Sequence, residues 1–315
     1  MSSKDEINQQ VARESEWRAR LAVPAFAGGL LYLLSGIVTN AVASSAPTVG
    51  VLQGLAPALS GEANPAVSPR APEVKYLSHH ASSLIIASVL AAIAIGALTL
   101  VLMLLADASR FRRPASWALA RPLVLVGGVA LAVISVVHQV VLAIETHSFA
   151  VGHDFTNNAV DNALAKSTPN VVSQYLDLLA GLAVAVAMGV IVVNAIRVGL
   201  VTRWLGVVGI ISAILIFLPI GGATLEVIPS FWLVAIGILY IGKWPNGQPP
   251  AWESGEARPW PSRAQMREQT GGARGGRPAL ATGSGDVAPA PAKPAAGGSS
   301  RKRRKRGARD GDGTR

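Results

Sequence analysis

The sequence predicts an all-α fold: a polytopic membrane bundle of six transmembrane helices with a disordered C-terminal tail. Three observations predict it. Six long apolar runs alternate with short polar segments. Lys and Arg gather on alternate sides of those runs. From Gly271 onward the chain is mostly Gly, Ala, Pro and Arg, with almost no large apolar side chain to build a core.

A helix needs about 20 apolar residues to cross the roughly 30 Å hydrocarbon core. The expected spans are Leu21–Ala43, His80–Leu105, Pro122–Ile144, Val172–Ile196, Leu205–Ile220 and Ile228–Ile241. The last two are short. Pro219, Gly221, Gly222 and the charge of Glu226 divide them, so they read as a hairpin of two spans. Backbone polar groups cannot be left unpaired in hydrocarbon, so each run should be helical along its length.

Residues 1–20 form a polar lead, within which 3–20 reads as an amphipathic helix. Ser3 and Glu6 have the spacing of a capping box, in which each side chain satisfies a free amide of the first turn. Ile7, Val11 and Trp17 give it a thin apolar face for the inner membrane surface. Ala41-Val42-Ala43 resembles a signal-peptidase site, but the polar lead is long and contains four acids, so cleavage is the weaker reading.

Five prolines punctuate the first outer loop, and Val49, Val51, Leu52, Leu55 and Leu59 could form a short interfacial helix. The second outer loop carries a helical stretch around Asn158–Lys166. Residues 244–270 are rich in Trp and Pro, which favours an extended segment packed under the bundle at headgroup level. Residues 271–315 are the disordered basic tail.

Basic residues set the orientation. The N-terminal segment has Lys4, Arg13, Arg18 and Arg20. The second loop has Arg110, Arg112, Arg113 and Arg121, and the very short fourth has Arg197 and Arg203. The long first loop has only Arg70 and Lys75, the third only Lys166, and the fifth none. The positive-inside rule then places both termini in the cytoplasm. Trp17, Trp117, Trp204 and Trp244 flank the expected cytoplasmic ends and Trp232 an outer one, as an interfacial belt would.

The net charge of +10 is located, not spread. From Lys243 there are 15 basic and six acidic residues, a balance of +9, so the tail carries nearly all of it. Its densest part is Arg301, Lys302, Arg303, Arg304, Lys305 and Arg306. Anionic lipid headgroups are the expected partner, each charge near the surface contributing about 1 kcal/mol. A nucleic acid ranks lower, because no aromatic residues interleave the run for base stacking. The absence of cysteine excludes disulfides, Cys-zinc sites and thiol catalysis.

Ionisable residues inside a membrane are costly, so they mark candidate sites. Gly128, Leu131, Ser135, His138, Leu142 and Glu145 share one face of the third span. Gln174 and Asp177 share a face of the fourth with Gly181 and Ala185, expected to point into the bundle. With His80, the residues Ser135, His138, Glu145, Gln174 and Asp177 form a candidate polar or ion cluster in the outer half. The favoured reading is a polar plug that pairs internally. Proton or ion coupling comes second and His-based metal or haem ligation third, since no His pair has chelating spacing. Small residues at four-residue spacing (Ser88, Ala92, Gly96; Gly181, Ala185, Gly189) suit close helix packing, within one chain or between copies.

The stretch Arg197-Val-Gly-Leu-Val-Thr-Arg203-Trp-Leu-Gly-Val-Val-Gly-Ile, then Phe231-Trp232-Leu, then Gly242-Lys-Trp-Pro-Asn-Gly-Gln-Pro-Pro-Ala-Trp252, resembles a group of uncharacterised multi-pass membrane proteins from actinobacteria. The resemblance covers the last two spans and the adjoining segment. It implies a multi-pass protein of the bacterial plasma (inner) membrane, and it brings no activity and no site residue. No catalytic, nucleotide or metal motif is present, so the expectation is a non-enzymatic membrane protein without cofactor, whose tail meets anionic lipid or a cytoplasmic partner. The alternative is a small transporter or ion-coupled permease using the outer polar cluster.

Overall fold

A computed structural model describes residues 3–50, 52, 54, 59–61, 67–114, 117–218, 226–245 and 247–259. The chain divides into two units, Met1–Ser262 and Arg263–Arg315. The second lies outside the described residues, as do Trp260, the expected disordered tail and its Arg301–Arg306 run. Pro219, Gly221 and Gly222, the side chain of Ser3 and most of the expected helix in the first loop are also outside them.

The first unit is all-helical. Its helices are α1 (Ser3–Ser45), α2 (Ala71–His79), α3 (Ala81–Arg112), α4 (Ala120–Val151), α5 (Asn157–Asp161), α6 (Thr168–Val198), α7 (Arg203–Phe217), α8 (Val227–Tyr240) and α9 (Pro250–Ser254). A π-helical turn, Asn162–Lys166, joins α5 to α6. Among the described residues four stretches are long and apolar enough to cross a membrane: α1, α3, α4, and the run containing α6. This marks a membrane protein by length and composition. The two shorter apolar helices, α7 and α8, have 15 and 14 residues. At 1.5 Å per residue each is about 20 Å long.

The expected lead helix and first span are one helix. Pro24 lies inside it without ending it. The second outer loop helix appears as α5 and the π turn. The Trp/Pro-rich segment is not wholly extended, because Pro250 opens the single turn of α9, where a missing amide is tolerated.

The helices form a ring in the order α1, α3, α4, α6, α7, α8, with α8 returning to α1 and α3 touching α6 across it. The main core runs through this contact. It holds Leu98, Val101, Leu102, Leu105, Met188, Ile191, Val192, Trp232, Ile236 and Leu239. The α1–α8 contact is backbone-close. A Cβ on Gly237 would lie 3.0 Å from Phe26 N and 3.2 Å from Ala22 O. Close approach of this kind lets dispersion hold helices together where lipid is as apolar as the partner. The expected stripes contribute less: a Cβ on Gly181 would sit 3.4 Å from Ile216 O, whereas Gly96 and Gly189 have no described neighbour within 4 Å.

Two ends are distinct. At one, α2, the π turn and the end of α4 enclose a small core of Ala71, Val74, Phe149, Val160 and Ala163. Ser68 N donates to Phe155 O at 2.7 Å there, and the Lys75 ammonium lies 4.0 Å from the Phe155 ring centroid. Arg70 pairs with Glu73, whose hydrogen bond raises the arginine pKa above its ordinary value. At the other end meet the start of α1, the end of α3, the end of α6 and the segment 248–258, and this is the end where the basic residues gather.

Candidate functional site

The largest built polar arrangement lies at the basic end. Arg112, at the last turn of α3, and Glu14, in the third turn of α1, form a two-point ion pair. Arg112 Nη1 donates to Glu14 Oε1 at 2.9 Å and Nη2 donates to Oε2 at 2.7 Å. Their side chains are 0% and 2% exposed. The remaining guanidinium protons are also used. Nε and Nη2 donate to Ala251 O at 3.1 and 2.8 Å, and Nη1 donates to Ala108 O at 2.9 Å. A planar fork with five donors suits this; a lysine could not replace it.

Trp252 of α9 completes the arrangement. It is fully buried, and its indole Nε1 donates to Leu200 O at 2.9 Å. The Arg18 guanidinium carbon lies 4.6 Å from its ring centroid and that of Arg112 lies 5.5 Å away. Tyr240 meets the ring edge-to-face at 6.1 Å. Arg18 Nη1 donates to Gln248 Oε1 at 3.1 Å, while its buried Nε has no partner. Burial lowers the Arg18 pKa from its ordinary value, and Glu14 opposes that shift. Gly199, at φ 83°, lets the chain turn so that Arg258 N donates to Val198 O at 3.1 Å. The arrangement fastens the C-terminal segment to the N-terminal helix. It brings no nucleophile or paired acid and base together, so its chemistry is structural.

The outer polar residues come together only in part. His138 Nδ1 lies 2.9 Å from Ser173 Oγ, and Ser173 Oγ donates to Asn170 O at 3.0 Å. With the serine proton used, Nδ1–H is the donor to Ser173. Asp177 interacts with His138 electrostatically, without a hydrogen bond, and its Oδ1 is buried without a partner. Ser135 donates to its own helix, to Ala132 O at 3.3 Å. His80 bonds locally to Tyr76 O at 2.9 Å and stacks on the Tyr76 ring. Glu145 is half-buried.

Gln174 departs from the expectation. It is exposed, and Ser173 is buried in its place. A face defined by three- and four-residue steps leaves its rotation uncertain by a residue, and here α6 turns Ser173 toward His138. Tyr32 of α1 feels the charges of both Glu226 and Asp177, and Glu226 Oε2 is, like Asp177 Oδ1, buried and unpartnered. Tyr32, Ser173 and Glu226 were not expected in the cluster. Tyr32 lies in the middle of the first expected span and Glu226 reads as a span breaker, so only spatial proximity could add them. Among the described residues no group of three or more His, Asp or Glu is arranged to hold a metal ion.

Comparison with protein-family models, curated proteins and solved structures finds no match to this chain.

Proposed function

We propose that this is a non-enzymatic integral protein of the bacterial plasma membrane. In this reading six helices span the bilayer, both termini are cytoplasmic, and the basic tail engages anionic headgroups of the inner leaflet or a cytoplasmic partner. One observation carries it. The segment ending at Arg258 is fastened by Trp252, Arg112 and Glu14 to the end where basic residues of α1, α3, α4, α6 and α7 gather. A positive end supports a cytoplasmic placement. The ring closure by α7 and α8 supports their counting as spans, although each covers only about two-thirds of the hydrocarbon core as helix.

The test uses the full chain in nanodiscs of neutral lipid, mixed with phosphatidylglycerol vesicles. Capture should fall steeply with salt and should be lost when Arg301–Arg306 are all replaced by Gln. Capture that ignores salt or survives the replacement contradicts the tail's role.

A second reading has a specific observation in its favour. Asp177 and Glu226 each leave a buried carboxylate oxygen without a partner, Tyr32 feels the charge of both, and Asp177 feels that of His138. Such groups in a membrane mark ion or proton pathways. In this reading the bundle is a small ion-coupled permease. The native lack of cysteine allows Asp177→Cys and His138→Cys to be probed with an impermeant maleimide from outside intact cells. Labelling of both supports a water-filled path, whereas protection of both in folded protein removes this reading.

A further inference from the structure

We infer that the groove between α1 and α3 at the basic end is a binding site for one anionic glycerophospholipid of the surrounding bilayer. This rests on the membrane reading and not on the tail. The groove encloses about 320 Å³. That lies at the small end of the usual range for ligand sites, roughly 300–1,000 Å³.

Its lining is graded. Leu21 of α1 and Leu100, Met103 and Leu104 of α3 form one part, and Gln10, Arg13, Asp107 and Arg121 form the other. The residues on each helix follow three- and four-residue steps, so each series is one continuous helix face. From Leu21 to Gln10 the groove runs about 16 Å along α1. Trp17, 47% exposed, stands between the two parts. An apolar trough that ends in charge beside an interfacial tryptophan matches an acyl chain continued by a headgroup.

The charge at the mouth selects the headgroup. Glu14 is consumed by Arg112, so it offers no free negative charge. Asp107 is paired with Arg121 at 3.0 Å and also faces Arg110. Arg13 is exposed and has no ion-pair partner among the described residues. With Glu14 and Asp107 both paired, Arg13 leaves the mouth positive. An anionic headgroup complements this rim; a zwitterionic one brings its own cation to it.

The test is native mass spectrometry of the full chain released from nanodiscs of mixed phosphatidylglycerol and phosphatidylcholine. The wild type should retain one phosphatidylglycerol in preference to phosphatidylcholine. Arg13→Gln should weaken that retention about fivefold, the effect of one charge near the surface. Leu100→Trp should abolish it by filling the trough. Neutralising Arg301–Arg306 should leave it unchanged, which separates this site from the tail. Equal retention of the two lipids, retention unaltered by Arg13→Gln, or loss on neutralising the tail alone would each overturn the assignment. Arg13 is exposed, so its variant decides the matter even if Leu100→Trp impairs folding.

Discussion

At the scale of single residues, the decisive fact is that the two charges of the Arg112–Glu14 pair are held out of water and paired with each other. Arg112 uses its fork on Glu14, Ala251 O and Ala108 O. Removing one partner leaves the other charge buried. Glu14→Gln or Arg112→Ala should therefore cost about 3–5 kcal/mol, read as a large fall in unfolding temperature in detergent. Trp252→Ala should cost a similar amount, about 3–5 kcal/mol, because it opens a cavity and orphans Leu200 O. An unchanged unfolding temperature in all three would show that the C-terminal segment is not part of the folded unit. None of these contacts could be read from the sequence. Glu14 and Arg112 are 98 residues apart, and Arg18 and Gln248 are 230 apart. Arg112 and Arg18 enter the positive-inside count as surface charge, which says nothing about burial. The one available signal was the Trp/Pro-rich composition of the segment, which pointed to packing under the bundle without naming a partner.

A second residue-scale effect is titratable. Asp154 Oδ1 accepts from Thr156 N at 2.9 Å in the loop between α4 and α5. That backbone hydrogen bond, joined by one from the Thr156 side chain, holds the Asp154 pKa below the ordinary carboxylate range. The bond favours the ionised form, so its contribution is complete above the ordinary aspartate pKa and is lost as pH falls through the lowered one. Carboxyl-labelled NMR should find Asp154 ionised at a pH where exposed carboxylates are already protonating, and Thr156→Pro should abolish the difference.

At the scale of elements, the bilayer made the long helices legible. Its thickness fixes their length and its apolarity fixes their composition, so α3, α4 and α6 fall on the expected spans and overrun them by up to about two turns. The continuity of α1 was not legible, because hydropathy sees the polar lead and the apolar run as different things while the backbone continues through both. The rotation of α6 was not legible either, and it decides whether Gln174 or Ser173 meets His138. One junction gives an element-scale prediction. Gly199 has φ 83°, and a Cβ there would collide with Arg258 O. Gly199→Ala should leave the helices in place but release the segment after α9. The readout is faster proteolysis near Arg258 with unchanged helical circular dichroism. Equal proteolysis rates would place the segment's hold elsewhere.

At the scale of the whole molecule, the ring of helices is closed by two short ones, and the start of α1 and the segment ending at Arg258 meet on one side of it. The proposed reading takes this as an even number of crossings with a cytoplasmic basic end. Cysteine topology mapping tests this most directly, because the native chain has no cysteine to give background. We would place single cysteines at Asn8, Asn158, Thr224 and Ser254 and label intact cells with an impermeant maleimide. The account predicts labelling of Asn158→Cys and Thr224→Cys from outside, and labelling of Asn8→Cys and Ser254→Cys only after the membrane is opened. Labelling of Ser254→Cys from outside, or protection of Thr224→Cys until permeabilisation, would contradict the six-span arrangement.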